Sequence, residues 1–301
     1  MSRRRDNLSW SHHAEVAKLD VDDQAYWLDQ AELEGWSLRE FRDAIRRGRQ
    51  DQREALPQLV QTRSPRLIVS HAEDMPEVES ESVDLIITSP PYNLGGNSWP
   101  MGGDGREPRA DGIGYADDLD EFAYQDWQVQ CLIEFYRVAK FGASLFYNHK
   151  VRNVRGGIVH PMDWLRDERN PWIVRQEIVW DRGSTHNHNE SLFWPEDERL
   201  YWMTKGKPTL PNRPVGMSNI WRFHGPVAGT WHPAPFSEEL PKRCIMAVGR
   251  EGITVLDPFA GSCTTCKVAL EYGYHAIGVD MLGEYLERAA QEYGWTMPSE
   301  T

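Results

Sequence analysis

Beyond residue 65 the chain is punctuated by short apolar runs rich in β-branched and aromatic residues: "RLIVS", "VDLIITS", "ASLFYN", "QEIVW", "RLYWMT", "ITVLD" and "HAIGVD". Runs of this length read as strands, and the longer stretches between them read as helices or loops. Strands that alternate with helices build a mostly parallel sheet covered on both faces, because each parallel connection needs a crossover. An α/β fold is therefore expected, with ligands bound beyond the C-terminal strand ends. The 301 residues suffice for one such domain plus a small appended one.

The start of the chain follows a different pattern. In "DVDDQAYWLDQAELEG" the positions Ala25, Leu28 and Ala31 share one helical face, and Gly35 is a natural stop. Ser37 then caps a second helix, with Glu40 three residues on completing a capping box and Leu38, Phe41 and Ile45 forming the apolar stripe. Two helices about Gly35-Trp36 resemble a helix-turn-helix. The division expected is a helical segment over 1–60, a linker around "ALPQLVQTRSP", and the α/β domain over 64–301. Helical periodicity puts Arg39, Arg42, Arg46, Arg49 and Arg53 on one flank of the second helix, provided that it continues through Gly48. The strip faces phosphates or is an ordinary solvated surface with Asp43 and Asp51 nearby.

No window approaches the roughly 18 to 20 apolar residues of a membrane span, and "MSRRRDNLSW" has no apolar segment behind its basic start. A cytoplasmic location is expected. Cys131, Cys244, Cys263 and Cys266 are too few for a disulfide framework. A net charge of −13 argues against indiscriminate coating of nucleic acid, yet allows a local basic surface. The segments 95–114 and 205–235, rich in Gly and Pro, read as long loops of the functional kind.

Two loops stand out chemically. In "ITVLDPFAGSCTTCKVALEYGYHAIGVD" a strand leads to a tight turn at Gly261, a helix from near Thr264, and a second strand ending at Asp280. A helix N-terminus with a carboxylate about 20 residues on, placed for ribose hydroxyls, suggests an adenosine-bearing cofactor. The same loop carries Cys263 and Cys266 as C-x-x-C, which permits a thiol-disulfide site or simply two thiols packing helix on sheet. A zinc site would need two further ligands, with only His186 and His188 at hand, and no metal is expected. The second loop is "TSPPYN", where a buried strand stops at Ser89, Pro90, Pro91 and Tyr92 in a stiff turn.

Together "TSPPYN" and "LDPFAGSCTT" resemble the catalytic and cofactor motifs of S-adenosylmethionine-dependent DNA amino-methyltransferases, which act on cytosine N4 or adenine N6. The catalytic motif precedes the cofactor motif, as in the permuted β class. The resemblance runs over roughly 66–293 and takes in "EFYRVAKFGASLFYN", "RQEIVWDRG", "ERLYWMTKGK" and "HPAPFSEELPKRCI". It implies a Rossmann-like methyltransferase sheet, S-adenosyl-L-methionine as cofactor and double-stranded DNA as partner, with a companion restriction endonuclease in some systems. It implies that Ser89 and the Pro90 carbonyl accept from the base amino group, that Pro91 stiffens the loop, and that Tyr92 stacks on a flipped base. For the cofactor it points to Asp257, Phe259, Ala260, Gly261 and Ser262, to Asp280 on the ribose, and to Phe236 beside the methionine moiety. Serine as the first motif residue favours cytosine N4, with adenine N6 as the alternative. From other classes, a thiol-disulfide protein using Cys263 and Cys266 and a catalytically silent DNA-binding regulator are the competitors.

Three departures from the family pattern bear on the site. Cys263 stands where the loop usually has a second glycine, Ser70-His71 stands where Gly-Asp is common, and the segment before "HPAPF" is short. Target recognition is accordingly expected to fall in part to the N-terminal helices and the 95–114 loop.

Overall fold

The structure, a computed structural model, describes residues 8–16, 21–46, 63–94, 119–154, 156–183, 192–208, 218–225, 231–232, 237–250 and 252–297. The chain divides into two compact units, Met1–Leu59 and Val60–Thr301.

In the first unit, helices α1 (Trp10–Val16), α2 (Val21–Glu34) and α3 (38–46) pack around Val16, Leu28, Ala31, Phe41 and Ile45. Gly35 ends α2 at φ +63°, a conformation that glycine adopts without steric cost, and the Trp36 amide donates back to the Ala31 carbonyl at 3.1 Å. The capping box forms as its spacing predicts: the Ser37 amide reaches Glu40 Oε2 at 2.8 Å, and the Glu40 amide reaches Ser37 Oγ at 3.4 Å.

The second unit is built on β1 (Arg66–Val69), β2 (Val83–Thr88), β3 (Ala139–His149), β6 (Ile173–Asp181), β7 (Asp197–Thr204), β8 (Ile220–Arg222), β9 (Thr254–Asp257) and β10 (His275–Asp280). They form one sheet in the order β1-β10-β9-β2-β3-β7-β6-β8, in which β7 alone runs against its neighbours. A small antiparallel ribbon of β4 (Arg152–Val154) and β5 (Gly157–Val159) follows β3. No helix among the described residues is long and apolar enough to cross a membrane.

Helices α4 (Glu121–Val138) and α5 (Met162–Leu165) cover one face; α6 (Glu239–Val248), α7 (Thr264–Glu271) and α8 (Gly283–Tyr293) cover the other. Strand β2 feeds both cores, sending Leu85 and Ile87 to one face and Ile86 to the other, which is why it reads as a continuous apolar run rather than an alternation. The sheet is wound outward in both directions from β9 and β2, its two central neighbours. Their adjacent C-terminal ends therefore form the crevice where this architecture binds ligands.

Close helix–sheet approach beside that crevice depends on Gly278 of β10. A Cβ there would lie 3.0 Å from Cys266 Sγ on α7 and 3.1 Å from both Ala260 and Leu67. Gly278→Ala is expected to overpack this contact and destabilise the protein by about 1–3 kcal/mol. Urea denaturation of the variant, with a lowered midpoint at unchanged slope, checks this.

Candidate active site

The two loops picked out in the sequence leave neighbouring strands. Thr88, the last residue of β2, donates from Oγ1 to Asp257 Oδ1, at the end of β9, at 2.8 Å within the protein interior. The same Asp257 oxygen accepts the Phe259 amide at 3.1 Å. One buried carboxylate thus fixes both the end of one strand and the start of the other strand's loop. Burial pushes its pKa up to about 6, against the hydrogen bonds from Thr265, Thr88 and the Phe259 amide.

Downstream, Gly261 takes φ +49° and donates its amide to Asp280 Oδ2 at 2.8 Å, while the Leu282 amide donates to Asp280 Oδ1 at 2.9 Å. Each Asp280 oxygen is left with acceptor capacity, and the carboxylate is only partly buried at the tip of β10. Ala260 hydrogen-bonds the Val279 carbonyl, Ser262 Oγ lies 3.1 Å from Thr264 Oγ1, and Phe259 packs edge-on to Trp127 and Phe135. Cys263, in place of the usual glycine, sits at φ +58° just before α7, a left-handed conformation that a side chain tolerates at a cost. Ser70 and His71 lie at the end of β1, where the Ser70 amide meets the Asp280 carbonyl at 3.2 Å.

A carboxylate at the strand tip, a loop with two positive-φ turns and a helix N-terminus make a donor and acceptor set that fits an adenosine-bearing group. Asp257 departs from the expectation. It has no exposed surface, and it reaches a ligand only through the backbone it holds. Phe236, Arg49, Arg53, His186, His188 and the 95–114 loop lie outside the described residues.

The thiol-disulfide expectation fails on physical grounds. Cys263 and Cys266 are free and buried, and the neighbouring Cys263 together with burial drives the Cys266 thiol well above its ordinary pKa. A reactive thiol needs exposure and a lowered pKa. Among the described residues no cluster of His, Cys, Asp and Glu is arranged to hold a metal ion.

On the β2 side, Ser89 Oγ lies 2.8 Å from the Tyr92 hydroxyl, which donates to Glu198 Oε2 on β7 at 3.0 Å. Asn148, near the end of β3, spans this group. Its Nδ2 is 2.7 Å from the Tyr92 hydroxyl, 2.9 Å from Glu198 Oε2 and 3.4 Å from Ser89 Oγ. Arg182 completes the network with an ion pair to Glu198 Oε1 at 2.9 Å. Burial and the Glu198 charge raise the Tyr92 pKa well above its ordinary value, so the residue stays a phenol. Its ring centroid lies 4.5 Å from that of His149, with Lys150 Nζ 5.5 Å over the ring.

The proline turn is held from behind. Tyr124 of α4 donates to the Pro91 carbonyl at 2.7 Å and lies 2.7 Å from His149 Nε2. Burial lowers the His149 pKa to about 3, so the ring is neutral. Arg152, paired with Glu121 at 2.7 Å, lies over the Tyr124 ring and also donates to the Asn93 carbonyl at 3.3 Å. The sequence singles out Ser89, Pro90, Pro91 and Tyr92 but gives no role to Asn148, His149, Arg182, Glu198 or Tyr124. The available signal is polar residues embedded in apolar strands, as in "ASLFYNH" and "DERLYWMT", since buried polar groups need partners.

In the first unit Arg39, Arg42 and Arg46 are exposed on α3, with Arg42 paired to Glu15 at 2.8 Å and Arg46 4.0 Å from Asp43.

Because the Asp257 pKa is raised in the fold, the native state holds a proton that the unfolded chain releases between about pH 4 and 6, and stability contributed at this site falls as pH rises through that window. Asp257→Asn has no such proton to lose. The melting temperature of Asp257→Asn relative to the natural protein is therefore expected to climb between pH 4 and pH 6.5 and level off above it, as scanning calorimetry across that range would record.

Residues 83–292 match the family model described as DNA methylase, that of the N6 and N4 methyltransferases. Among curated proteins, the chain is similar to the Type II methyltransferase M.HpaI of Haemophilus parainfluenzae, at 29% identity over 250 residues that cover 75% of this chain and 73% of the relative. It is also similar to the DNA adenine methyltransferase YhdJ of Escherichia coli (strain K12), at 28% identity over 249 residues, 71% of this chain and 77% of the relative. Among solved structures, the cytosine-N4-specific PvuII DNA methyltransferase superimposes with a TM-score of 0.62 at 18% identity, covering 79% of this chain and 89% of its own. The S-adenosyl-L-methionine complex of TTHA0409, a modification methylase from Thermus thermophilus, gives 0.54 at 24% identity, covering 79% and 99%.

Proposed function

From the premise that the chain belongs to the DNA methylase family of N6 and N4 methyltransferases, we propose that it methylates cytosine N4 in double-stranded DNA. The protein is an S-adenosylmethionine-dependent DNA methyltransferase acting on an exocyclic base amino group. What carries the reading is the coupling of the two loops: the Ser89 turn and the Gly261 turn leave adjacent strands joined by the Thr88–Asp257 hydrogen bond.

The exocyclic nitrogen is a poor nucleophile because its lone pair is delocalised into the ring. Acceptors that hold its protons turn the lone pair outward. Ser89 Oγ accepts one proton, and the Pro90 carbonyl, fixed by a loop with two locked φ angles, accepts the other. Tyr92 stacks on the base once it leaves the duplex. Asp280 accepts from the ribose hydroxyls of the cofactor, and Phe259, Ala260, Gly261, Ser262 and Phe236 line its remaining length. Bound S-adenosylmethionine supplies an electrophilic sulfonium methyl group. The chain's residues bring donor and acceptor together, which alone accounts for much of the rate in such transfers.

Serine at the first motif position supports cytosine over adenine, since a neutral hydroxyl stands where adenine enzymes of the family more often carry a carboxylate or amide. Adenine N6 is the second reading, favoured by the similarity to YhdJ. Incubation with labelled cofactor and mixed-sequence DNA, followed by digestion to nucleosides and mass analysis, is expected to yield N4-methylcytosine. N6-methyladenine would select the second reading, and label found only in RNA or protein would overturn both.

The helical first unit is proposed to add phosphate contacts through Arg39, Arg42, Arg46 and Arg49. With Arg42 partly neutralised by Glu15, replacing Arg39 and Arg46 together by alanine is expected to lower the slope of log binding constant against log salt by about 2. An unchanged slope would mark that face as ordinary solvated surface.

A further inference from the structure

We infer that Glu198 is a positioning residue that acts through Tyr92 to fix the Ser89 hydroxyl as a hydrogen-bond acceptor toward the substrate amino group. The inference rests on the proposed role of Ser89 and follows from counting protons in the buried network.

A carboxylate paired with Arg182 can only accept, so the single Tyr92 proton must point at Glu198 Oε2. The Asn148 amide is oriented by the same charge. Turned the other way, its oxygen would face the carboxylate, so both Nδ2 protons go to Glu198 and Tyr92. That choice leaves Asn148 Oδ1 buried and without a partner among the described residues, a cost of about 1–3 kcal/mol that the carboxylate overrides. The Tyr92 oxygen, having given its proton away, has only lone pairs to offer. Ser89 Oγ, 2.8 Å away, must therefore be the donor in that contact.

The Ser89 proton is thus spent inward, on Tyr92. What remains for the substrate is the oxygen's acceptor side, the polarity that an amino group requires. A freely rotating serine would point its proton at the substrate nitrogen part of the time and compete for the lone pair that must attack. Glu198, two hydrogen bonds from the reacting atoms, removes that alternative. The desolvated surroundings strengthen each link.

Glu198→Gln tests this because the amide keeps size and hydrogen-bonding capacity but can donate to Tyr92. The phenol proton is then released toward Ser89, and the Ser89 proton turns outward. In single-turnover assays with labelled cofactor, the variant is expected to transfer methyl groups about 100-fold more slowly, comparable to the loss of one preorganised transition-state contact. Its affinities for cofactor and DNA should stay within about twofold of the natural protein. Introduced into Ser89→Ala, where there is no hydroxyl to orient, Glu198→Gln should cost less than about twofold more. Full slowing in both backgrounds, no slowing in either, or loss of cofactor binding would overturn the inference. If Ser89→Ala itself transfers at the natural rate, the proposed role of Ser89 fails. If Ser89→Ala is slow while Glu198→Gln is not, the role of Ser89 stands and only that of Glu198 fails.

Discussion

One buried hydrogen bond, from Thr88 Oγ1 to Asp257 Oδ1, holds the functional end of this molecule in register. It joins the C-terminal ends of two parallel strands, β2 and β9, each of which releases one of the loops that carry the chemistry. Parallel strands in a doubly wound sheet already place such loops side by side. Adjacency sets their separation only coarsely, because each loop begins where the ladder stops. A carboxylate that holds a side chain of one strand and a backbone amide of the other loop removes that freedom. Asp280 repeats the device one strand away, where its two oxygens hold the Gly261 and Leu282 amides.

These carboxylates are retained against a cost. Burial raises the pKa of both, and an isolated charge in the interior would be strongly disfavoured. The fold meets that cost with several donors at each carboxylate. Glu198 follows the same rule with Arg182, Asn148 and Tyr92 around it. Fully satisfied buried networks rigidify, and here the atoms made rigid are those facing the crevice. Cys263 in a left-handed conformation and the orphaned Asn148 Oδ1 are the local strains that accompany this order.

Much of this was legible in the chain. Each apolar run read as a strand is one, because a strand buried on both faces needs an uninterrupted apolar stretch. The Ser37–Glu40 capping box and the start of α7 near Thr264 follow from local hydrogen-bonding needs that the sequence states directly. The reversed direction of β7, the short strand β8 and the ribbon of β4 and β5 were not legible, since strand direction and three-residue strands depend on partners far away in sequence. The same reason hid Glu198. On its own strand it is one acid among Asp197, Glu198 and Arg199, and only the sheet brings it beside Tyr92, 106 residues earlier. Asp257 was legible as part of the cofactor motif, but its burial, and hence its work through backbone rather than by contact, required the tertiary structure.

The claim that the two loops act as one unit is tested most directly on the side farther from the cofactor motif. Thr88→Val keeps the shape of the side chain and removes the hydroxyl that reaches Asp257. Calorimetric titration of this variant with S-adenosylmethionine is predicted to show a dissociation constant raised roughly tenfold, the loss expected for a hydrogen bond to a charged group. An unchanged dissociation constant would contradict it, and would mean that the cofactor loop is set without help from the catalytic strand.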